Sequence, residues 1–424
     1  MTEPARSVKT ELLAGVTTFL TMSYIIVVNP GLLARPETGL TFAAVMTATI
    51  LAAAVPTILM GLFADLPYAL APGMGLNALF TFGIVMESGF SAGQALGAIV
   101  VSGAFLTALS LTPARSALAR AIPPPLRSAA AAGIGLFLTF IGLKNAGVVV
   151  PSPATFVAPG PLTPEVGLFA GGLLLTVLLI HLRVRGALLV GMVATTLAAA
   201  AFGRVAAPES LATAPDFSLL GAFDLGGIWT AAIVAPLITL VLTDLFDSLS
   251  TFLGVAQAAG LVDDRGEPVR LGRALIVDGF ATLFSGLVGS SPSTTYIESA
   301  AGVREGGRTG LTAVVAGLCF LPFLFAAPLA AVVPACATAP ALVVVGFYML
   351  RAIGDVAHED VVTAAPAFLT LVLMPLTFSI TQGLVWGILT YVLLSCAVGR
   401  WREIPVALWM VAVGCAAVLV ADNL

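Results

Sequence analysis

Three carboxylates stand where apolar side chains would be expected: Asp244 and Asp247 in LITLVLTDLFDSLSTFLG, and Glu298 in GSSPSTTYIESAAGV. Asp244 and Asp247 are spaced i, i+3 and therefore share one helix face, with Thr243, Ser248, Ser250 and Thr251 adding hydroxyls nearby. Two carboxylates this close in apolar surroundings cannot both be comfortably ionised, so one should bind a proton readily or be charge-compensated. The plainer alternative is that one of them, Asp247 above all, caps a neighbouring half-helix. Glu298 follows a run of small hydroxylated residues interrupted by Pro292, which has no N–H to donate. An earlier stretch, APGMGLNALF, has the same character: Pro72 and two glycines, then helix-compatible sequence carrying one amide, Asn77.

The elements that carry these residues are membrane segments. The chain has 424 residues, is 59% hydrophobic and only 9% charged, and has a mean hydropathy of +1.08, whereas a soluble protein has about 25% charged residues. An ionisable group at the centre of a bilayer costs roughly 2.5–3.5 kcal/mol, so each of the three carboxylates is a candidate functional residue. The net charge of −4 and the absence of a basic stripe exclude nucleic acid as a partner. Cys319, Cys336, Cys396 and Cys415 occur singly in apolar runs without metal-ligand spacing, and His181 and His358 sit at segment ends, so no metal or cofactor is expected.

Apolar runs long enough to cross about 30 Å of hydrocarbon recur throughout. Helices are expected near 11–34, 42–64, 74–88, 92–112, 125–143, 165–182, 186–204, 228–255, 271–288, 293–304, 309–333, 340–354, 361–380 and 383–399, with 405–421 either crossing or lying along the surface. The first run is too long for a signal-peptide core and is kept as a membrane helix. The Pro-rich connection 145–164 should be an ordered loop or a short extended piece, and DDRGEPVRLGR from Asp263 a tight turn leading into a helix. With the amino terminus in the cytoplasm, only Arg35, Lys144 and Arg204 of the 18 basic residues fall in outer loops, as the positive-inside rule demands.

Gly73 and Ser291 lie 218 residues apart, close to half of 424, which suggests two structural repeats. An odd number of helices per half gives them opposite orientations. In such transporters the interrupted segments meet near the midplane and form a polar site. Residues 71–77 and 289–296 are accordingly expected to adjoin there as extended segments.

The motifs APGMGLNALF, TDLFDSLSTFLG and SSPSTTYIESAAGVREGGRTGLTAVV, with TTFLTMSYIIVVNP in the first helix, resemble the AzgA-like purine permeases of the nucleobase-cation symporter-2 family over essentially the whole chain. The resemblance implies an all-α polytopic membrane protein of 14 transmembrane segments in two inverted seven-segment repeats, with short strands in the broken segments 3 and 10. It implies a core (substrate) domain, 1–112 and 228–333, a gate domain, 113–227 and 334–400, and a C-terminal apolar segment, 401–424. Family substrate residues carry over to Asn77, Asp244, Asp247 and Glu298, with Gly75, Ser248, Tyr296 and Ile297 completing the pocket by position. The family usually has Gly-Thr where this chain has Ser250-Thr251, and Thr where it has Pro292, which leaves the exact purine preference open.

The expected function is import of adenine, guanine or hypoxanthine across the cell's inner (plasma) membrane by proton symport and alternating access. Glu298 would accept from ring N–H groups while backbone amides at the start of segment 10 donate, Asn77 would do both, and Tyr296 or an apolar neighbour would cover a ring face. Asp244 is the expected proton partner, with Asp247 beside it; Na+ stays an alternative coupling ion. The resemblance leaves room for a homodimer through the gate domain. Rival readings are a uracil or xanthine transporter, an anion exchanger or channel of the same fold, and an intramembrane hydrolase using Asp244 and Asp247 as a dyad.

Overall fold

The computed structural model describes residues 7–112, 123–208, 210–230, 233–263, 268–355 and 360–421. His358, the basic residues Arg6, Arg115, Arg120 and Arg265, and residues 264–267 of the DDRGEPVRLGR turn lie outside them. The first repeat comprises α1 (Val8–Met22), α2 (Ile25–Leu33), α3 (Phe42–Leu59), β1 (Leu70–Pro72), α4 (Met74–Ala78), α5 (Ala92–Ser110), α6 (Pro124–Asn145), α7 (Pro164–His181) and α8 (Ala187–Ala201). A hairpin of β2 (Val149–Ser152) and β3 (Phe156–Pro159) occupies the Pro-rich connection between α6 and α7. The second repeat comprises α9 (Val234–Ala259), α10 (Leu271–Val288), β4 (Ser293–Thr295), α11 (Ser299–Arg304), α12 (Gly310–Phe320), α13 (Ala327–Ala331), α14 (Ala335–Leu350), α15 (Val361–Leu376) and α16 (Ile380–Ala397). The apolar tail forms α17 (Val406–Ala421), packed against α16 and α9.

Nine helices among the described residues are long and apolar enough to cross a membrane alone. Shorter apolar helices and the two strand-bearing pieces complete fourteen segments in two inverted sevens.

Several expected helices prove to be broken, each for a local reason. The first segment divides at Ser23–Tyr24, where the hydroxyls of Thr21 and Ser23 donate to the carbonyls of Thr18 (2.8 Å) and Leu20 (3.1 Å) and compete with the backbone ladder. The extended stretch of segment 3 ends at Pro72, earlier than expected, because the helix starts at Met74. Segment 3 then widens into π-helical turns over Leu79–Glu87, and α3 does the same over Met60–Ala64. In segment 11, Pro322 stands in a 3₁₀ turn over Leu321–Phe325, before α13. Segment 12 begins at Ala335, directly after Pro334, and carries Pro340 inside it.

Close approaches hold this frame together. α1 packs on α12 and α11, α3 on α12 and α10, and α5 on α10; α6 packs on α14 and α15, and α15 on α16. Gly61 and Gly310 face each other so tightly that a Cβ on either would overlap the other's carbonyl oxygen. Small residues at such crossings are what let membrane helices gain dispersion contact. The interfacial charges sort to two ends: Arg204–Glu165 (2.9 Å) and Arg35 with Asn145 at one, Arg185–Glu305 (2.7 Å) and Arg270–Asp65 (2.5 Å) at the other.

Gly61→Val should therefore destabilise the protein by about 1–3 kcal/mol through overpacking, read as a lower melting temperature in detergent. Gly171→Val is the control, since nothing lies within 4 Å of a Cβ there, and it should leave melting unchanged.

Candidate functional site

β1 and β4 pair antiparallel in the register Leu70↔Thr295, Ala71↔Thr294 and Pro72↔Ser293. The ladder continues at both ends, with Gly73 N donating to Pro292 O and Tyr296 N to Ala69 O, each at 2.9 Å. Three residues per strand leave many backbone groups at membrane depth, and hydroxyls satisfy them. Thr57 Oγ1 accepts from Leu70 N (2.8 Å) and donates to Leu70 O (2.9 Å), and Ser299 Oγ accepts from Ala69 N (3.0 Å); Ser293 Oγ of β4 in turn donates to Ala52 O of α3 (3.0 Å). Both strands are fully buried. Extended backbone survives at this depth only with such partners.

At one end of the pair stands Asn77, which is fully buried. Ser291 Oγ donates to its Oδ1 at 2.5 Å, and its Nδ2 points at Met74 Sδ, 3.6 Å away. Behind Ser291 lies a second buried amide, Asn29, whose Nδ2 donates to Thr49 Oγ1 (2.8 Å) and Ser290 Oγ (3.2 Å). Gly75, one helical turn from the strand, is pressed against α6: a Cβ there would collide with Ile134. This explains why the half-helix needs a glycine at that position.

Along the strands runs α9. Asp244 is buried and accepts from Thr282 Oγ1 at 2.6 Å and from Ser248 Oγ at 3.3 Å; Ser248 Oγ in turn lies 2.8 Å from Thr294 Oγ1 on β4. Asp244 and Ser248 thus face the strand pair and α10. Asp247 faces differently. It lines a narrow crevice with Thr243, Phe246, Ala130, Ala131, Ile134 and Met349, between α9 and the helices α6 and α14. Its Oδ2 is 3.6 Å from where a Cβ on Gly73 would stand. Thr243 Oγ1, also buried, has no hydrogen-bond partner.

At the opposite end of the strand pair, Glu298 accepts from Tyr24 Oη at 2.7 Å. The break between α1 and α2 is what brings Tyr24 there. Tyr296 donates through its hydroxyl to Pro72 O at 2.5 Å, which ties the ring to the strands. Ile297 is half-exposed, with its Cδ1 3.4 Å from where a Cβ on Gly254 would stand. Glu298, Tyr296, Tyr24 and Asp247 lie within electrostatic reach of one another, whereas Asn77 belongs to the Ser291 end.

Sequence reasoning passes over Tyr24, Asn29 and Asp278. Asp278 is fully buried in α10 and accepts from Thr295 Oγ1 at 3.4 Å. The rule that singles out Asp244, a carboxylate in an apolar run, also picks out Asp278, but the arginines just before it make it read as interfacial. Asn29 and Tyr24 give no such signal, because neither carries a charge. Among the described residues no group of three His, Cys, Asp or Glu is placed to hold a metal.

Comparison with known proteins places this geometry. The permease family model Xan_ur_permease matches residues 9–385. The adenine permease AdeP of Escherichia coli is 41% identical over 97% of this chain and 92% of its own length. The guanine/hypoxanthine permease PbuO of Bacillus subtilis is 40% identical over 95% of each chain, and a putative permease of Methanocaldococcus jannaschii is 43% identical over 96% and 94%. Among solved structures, the transmembrane domain of a cyanobacterial bicarbonate transporter, BicA, matches with a TM-score of 0.65 at 18% identity, covering 91% of this chain and 98% of that one. SLC26A9 matches with a TM-score of 0.60 at 11% identity, covering 92% and 66%. At such identities these two structures carry the fold alone. The family and its relatives are transporters rather than enzymes, which removes the reading of Asp244 and Asp247 as a hydrolytic dyad. With motifs, fold and relatives in agreement, the chain belongs to the permease family of nucleobase-cation symporter-2 transporters and resembles its AzgA-like purine branch.

Proposed function

We propose that this protein takes up purine nucleobases, adenine, guanine or hypoxanthine, across the cytoplasmic membrane in symport with protons, with its amino terminus in the cytoplasm. The observation that carries the reading is Glu298, an ionisable group at a strand–half-helix junction, held by Tyr24 through one of its oxygens. An ionised carboxylate is an acceptor only, with about four lone-pair sites, so it keeps capacity for the ring N–H groups of a base. The relatives named above, adenine and guanine/hypoxanthine permeases, support the purine class.

The core domain, 1–112 and 228–333, holds Asn77, Gly75, Asp244, Asp247, Ser248, Tyr296, Ile297 and Glu298 in this reading, and the gate domain, 113–227 and 334–400, moves against it. The crevice supports the division, since Asp247 and Thr243 face Ala130, Ile134 and Met349 across it. So does a cluster of edge-on rings, Phe82 with Phe137 and Phe378, centroids 5.0–6.4 Å apart, which joins segment 3 to α6 and the turn before α16. Alternating access would open that cluster, each ring pair contributing about 0.5–1.5 kcal/mol beyond its buried area.

Proton coupling is assigned to Asp244 with Asp247. Thr282 and Ser248 give Asp244 hydroxyl neighbours, and a hydroxyl serves as donor to a carboxylate or acceptor from a carboxyl. The group can therefore take or lose a proton without leaving its partners unbonded. Linkage then requires substrate and proton to favour each other by the same factor at equilibrium.

Three outcomes test the proposal. In cells lacking their own permeases, labelled adenine, guanine and hypoxanthine should be taken up and should compete with one another, while uracil and xanthine compete weakly; the reverse ranking would sink the purine assignment. Glu298→Gln should lower purine uptake by more than roughly tenfold at unchanged protein level, because a hydrogen bond to a charged group is worth about 1.5–3 kcal/mol, and Asn77→Ala by roughly tenfold, a neutral bond being worth about 0.5–1.5 kcal/mol; normal uptake by either variant would remove that residue from the site. Asp244→Asn should keep counterflow in proteoliposomes better than uptake driven by a pH gradient. Wild-type uptake that needs sodium and ignores pH would overturn the proton assignment, and equal loss of both activities in the variant would move Asp244 from coupling to substrate binding.

A further inference from the structure

The buried network Thr49–Asn29–Ser290–Ser291–Asn77 has a direction that can be worked out hydrogen by hydrogen. Thr49 Oγ1 donates to Val45 O at 2.6 Å, so toward Asn29 it has only lone pairs to offer. It must accept from Asn29 Nδ2, as must Ser290 Oγ, and this turns Asn29 Oδ1 toward Ser291. Ser291 owns a single hydroxyl hydrogen and has two acceptors before it, Asn77 Oδ1 at 2.5 Å and Asn29 Oδ1 at 3.4 Å. The shorter bond takes the hydrogen. Asn77 is thereby held with its carbonyl inward and its NH2 group turned to Met74 Sδ, a weak acceptor at 3.6 Å. Were the amide reversed, Nδ2 would stand 2.5 Å from Ser291 Oγ, a length that fits O–H···O and is too short for N–H···O. All of these side chains are buried, so no water stands in for either partner.

We infer that Ser291 is a specificity-determining residue: by fixing the sense of the Asn77 amide, it makes Asn77 a hydrogen-bond donor toward the transported base, which must present a carbonyl oxygen or bare ring nitrogen there. The inference rests on Asn77 being a ligand, as proposed above. The chemistry follows from satisfaction of buried groups. An under-bonded NH2 gains a full partner from an acceptor edge, and a donor edge meeting it leaves both groups unpaired. A site built this way discriminates between an oxo and an amino substituent far better than an apolar pocket can. Ser291 acts through Asn77 and not by contact with the reacting base or proton.

The experiment measures uptake KM for hypoxanthine and adenine, whose six-substituents are an acceptor and a donor, in wild type, Ser291→Ala, Asn29→Ala, Asn77→Ala and the Ser291→Ala/Asn77→Ala double variant. Ser291→Ala frees the amide to turn and should change the ratio of the two KM values by roughly tenfold, the effect of about one neutral hydrogen bond. Asn29→Ala leaves the Ser291–Asn77 bond in place, so it should lower melting temperature while keeping the wild-type ratio. In the Asn77→Ala background, Ser291→Ala should have no further effect on the ratio. If Ser291→Ala proves too unstable for uptake, Ser291→Cys, a weak donor of similar size, is compared by stabilisation against heat with each base, and the same shift is expected. A wild-type ratio in Ser291→Ala or Ser291→Cys, or equal ratio changes in Ser291→Ala and Asn29→Ala, would overturn the inference while leaving purine transport standing. Absence of purine uptake by the wild type would overturn both.

Discussion

Backbone that is neither helix nor sheet cannot stand alone at membrane depth, and the rest of this structure follows from how that demand is met. Two segments are interrupted, and each supplies the other's missing partners through β1 and β4. The pairing is too short to satisfy everything, so the hydroxyls of Thr57 on α3 and Ser299 on α11 complete it, while Ser285 on α10 bonds the Ser293 side chain. Each such hydroxyl must lie on a helix that cannot move independently of the strands. The need to satisfy a few peptide groups therefore ties α3 and α11 to the strand pair. Among the described residues α6 to α8 and α14 to α16 carry no hydroxyl bond into the strand pair, and α6 meets the half-helix through Ile134 against Gly75, an apolar contact.

The two repeats contribute unequally to what lines this unit. The first brings amides and small residues, Asn29, Asn77, Gly73 and Gly75; the second brings the carboxylates beside the strands, the buried Asp244 and Asp278 and the partly buried Asp247 and Glu298. Symmetry sets the architecture, and its loss sets the chemistry. In the proposed mechanism the carboxylates of one repeat exchange protons, while the neutral amides of the other keep the same charge throughout.

Much of this was legible in the sequence because expense is visible there. A carboxylate in an apolar run marks itself, which is how Asp244, Asp247 and Glu298 stand out, and a Pro–Gly or Ser–Pro stretch in a short hydrophobic segment marks an interrupted helix. The spacing of Gly73 and Ser291 gave away the repeat. Hydrogen-bond partners were not legible. Tyr24 reads as an ordinary aromatic of the first helix until the break at Ser23 turns it onto Glu298, and Asn29 reads as a polar residue before Pro30. Nor could spacing tell that Asp244 and Asp247, neighbours on one helix, face different surroundings: a difference of three residues rotates a side chain by about 60°, enough to set one against α10 and the other on the crevice.

A clamp holds the half-helix that carries Glu298. α11 is six residues long, too short to hold its position by its own hydrogen bonds. Its far end is closed by Arg308, whose guanidinium donates to Val303 O and Gly307 O at 2.5 and 2.7 Å, a cation where the carbonyls of a helix end are unpaired. The backbone of that same stretch is gripped by the buried Glu11 of α1, which accepts from Arg308 N (3.1 Å) and Thr309 N (3.3 Å), and Asp65 takes Gly310 N at 2.8 Å. The first segment thus holds both ends of this stretch, through Tyr24 in the break after α1 at Glu298 and through Glu11 of α1 at Arg308. A shift of α1 relative to α9 would move Glu298 and its clamp together. Glu298, the carboxylate proposed to meet the ligand, is positioned by the first segment as much as by its own half-helix.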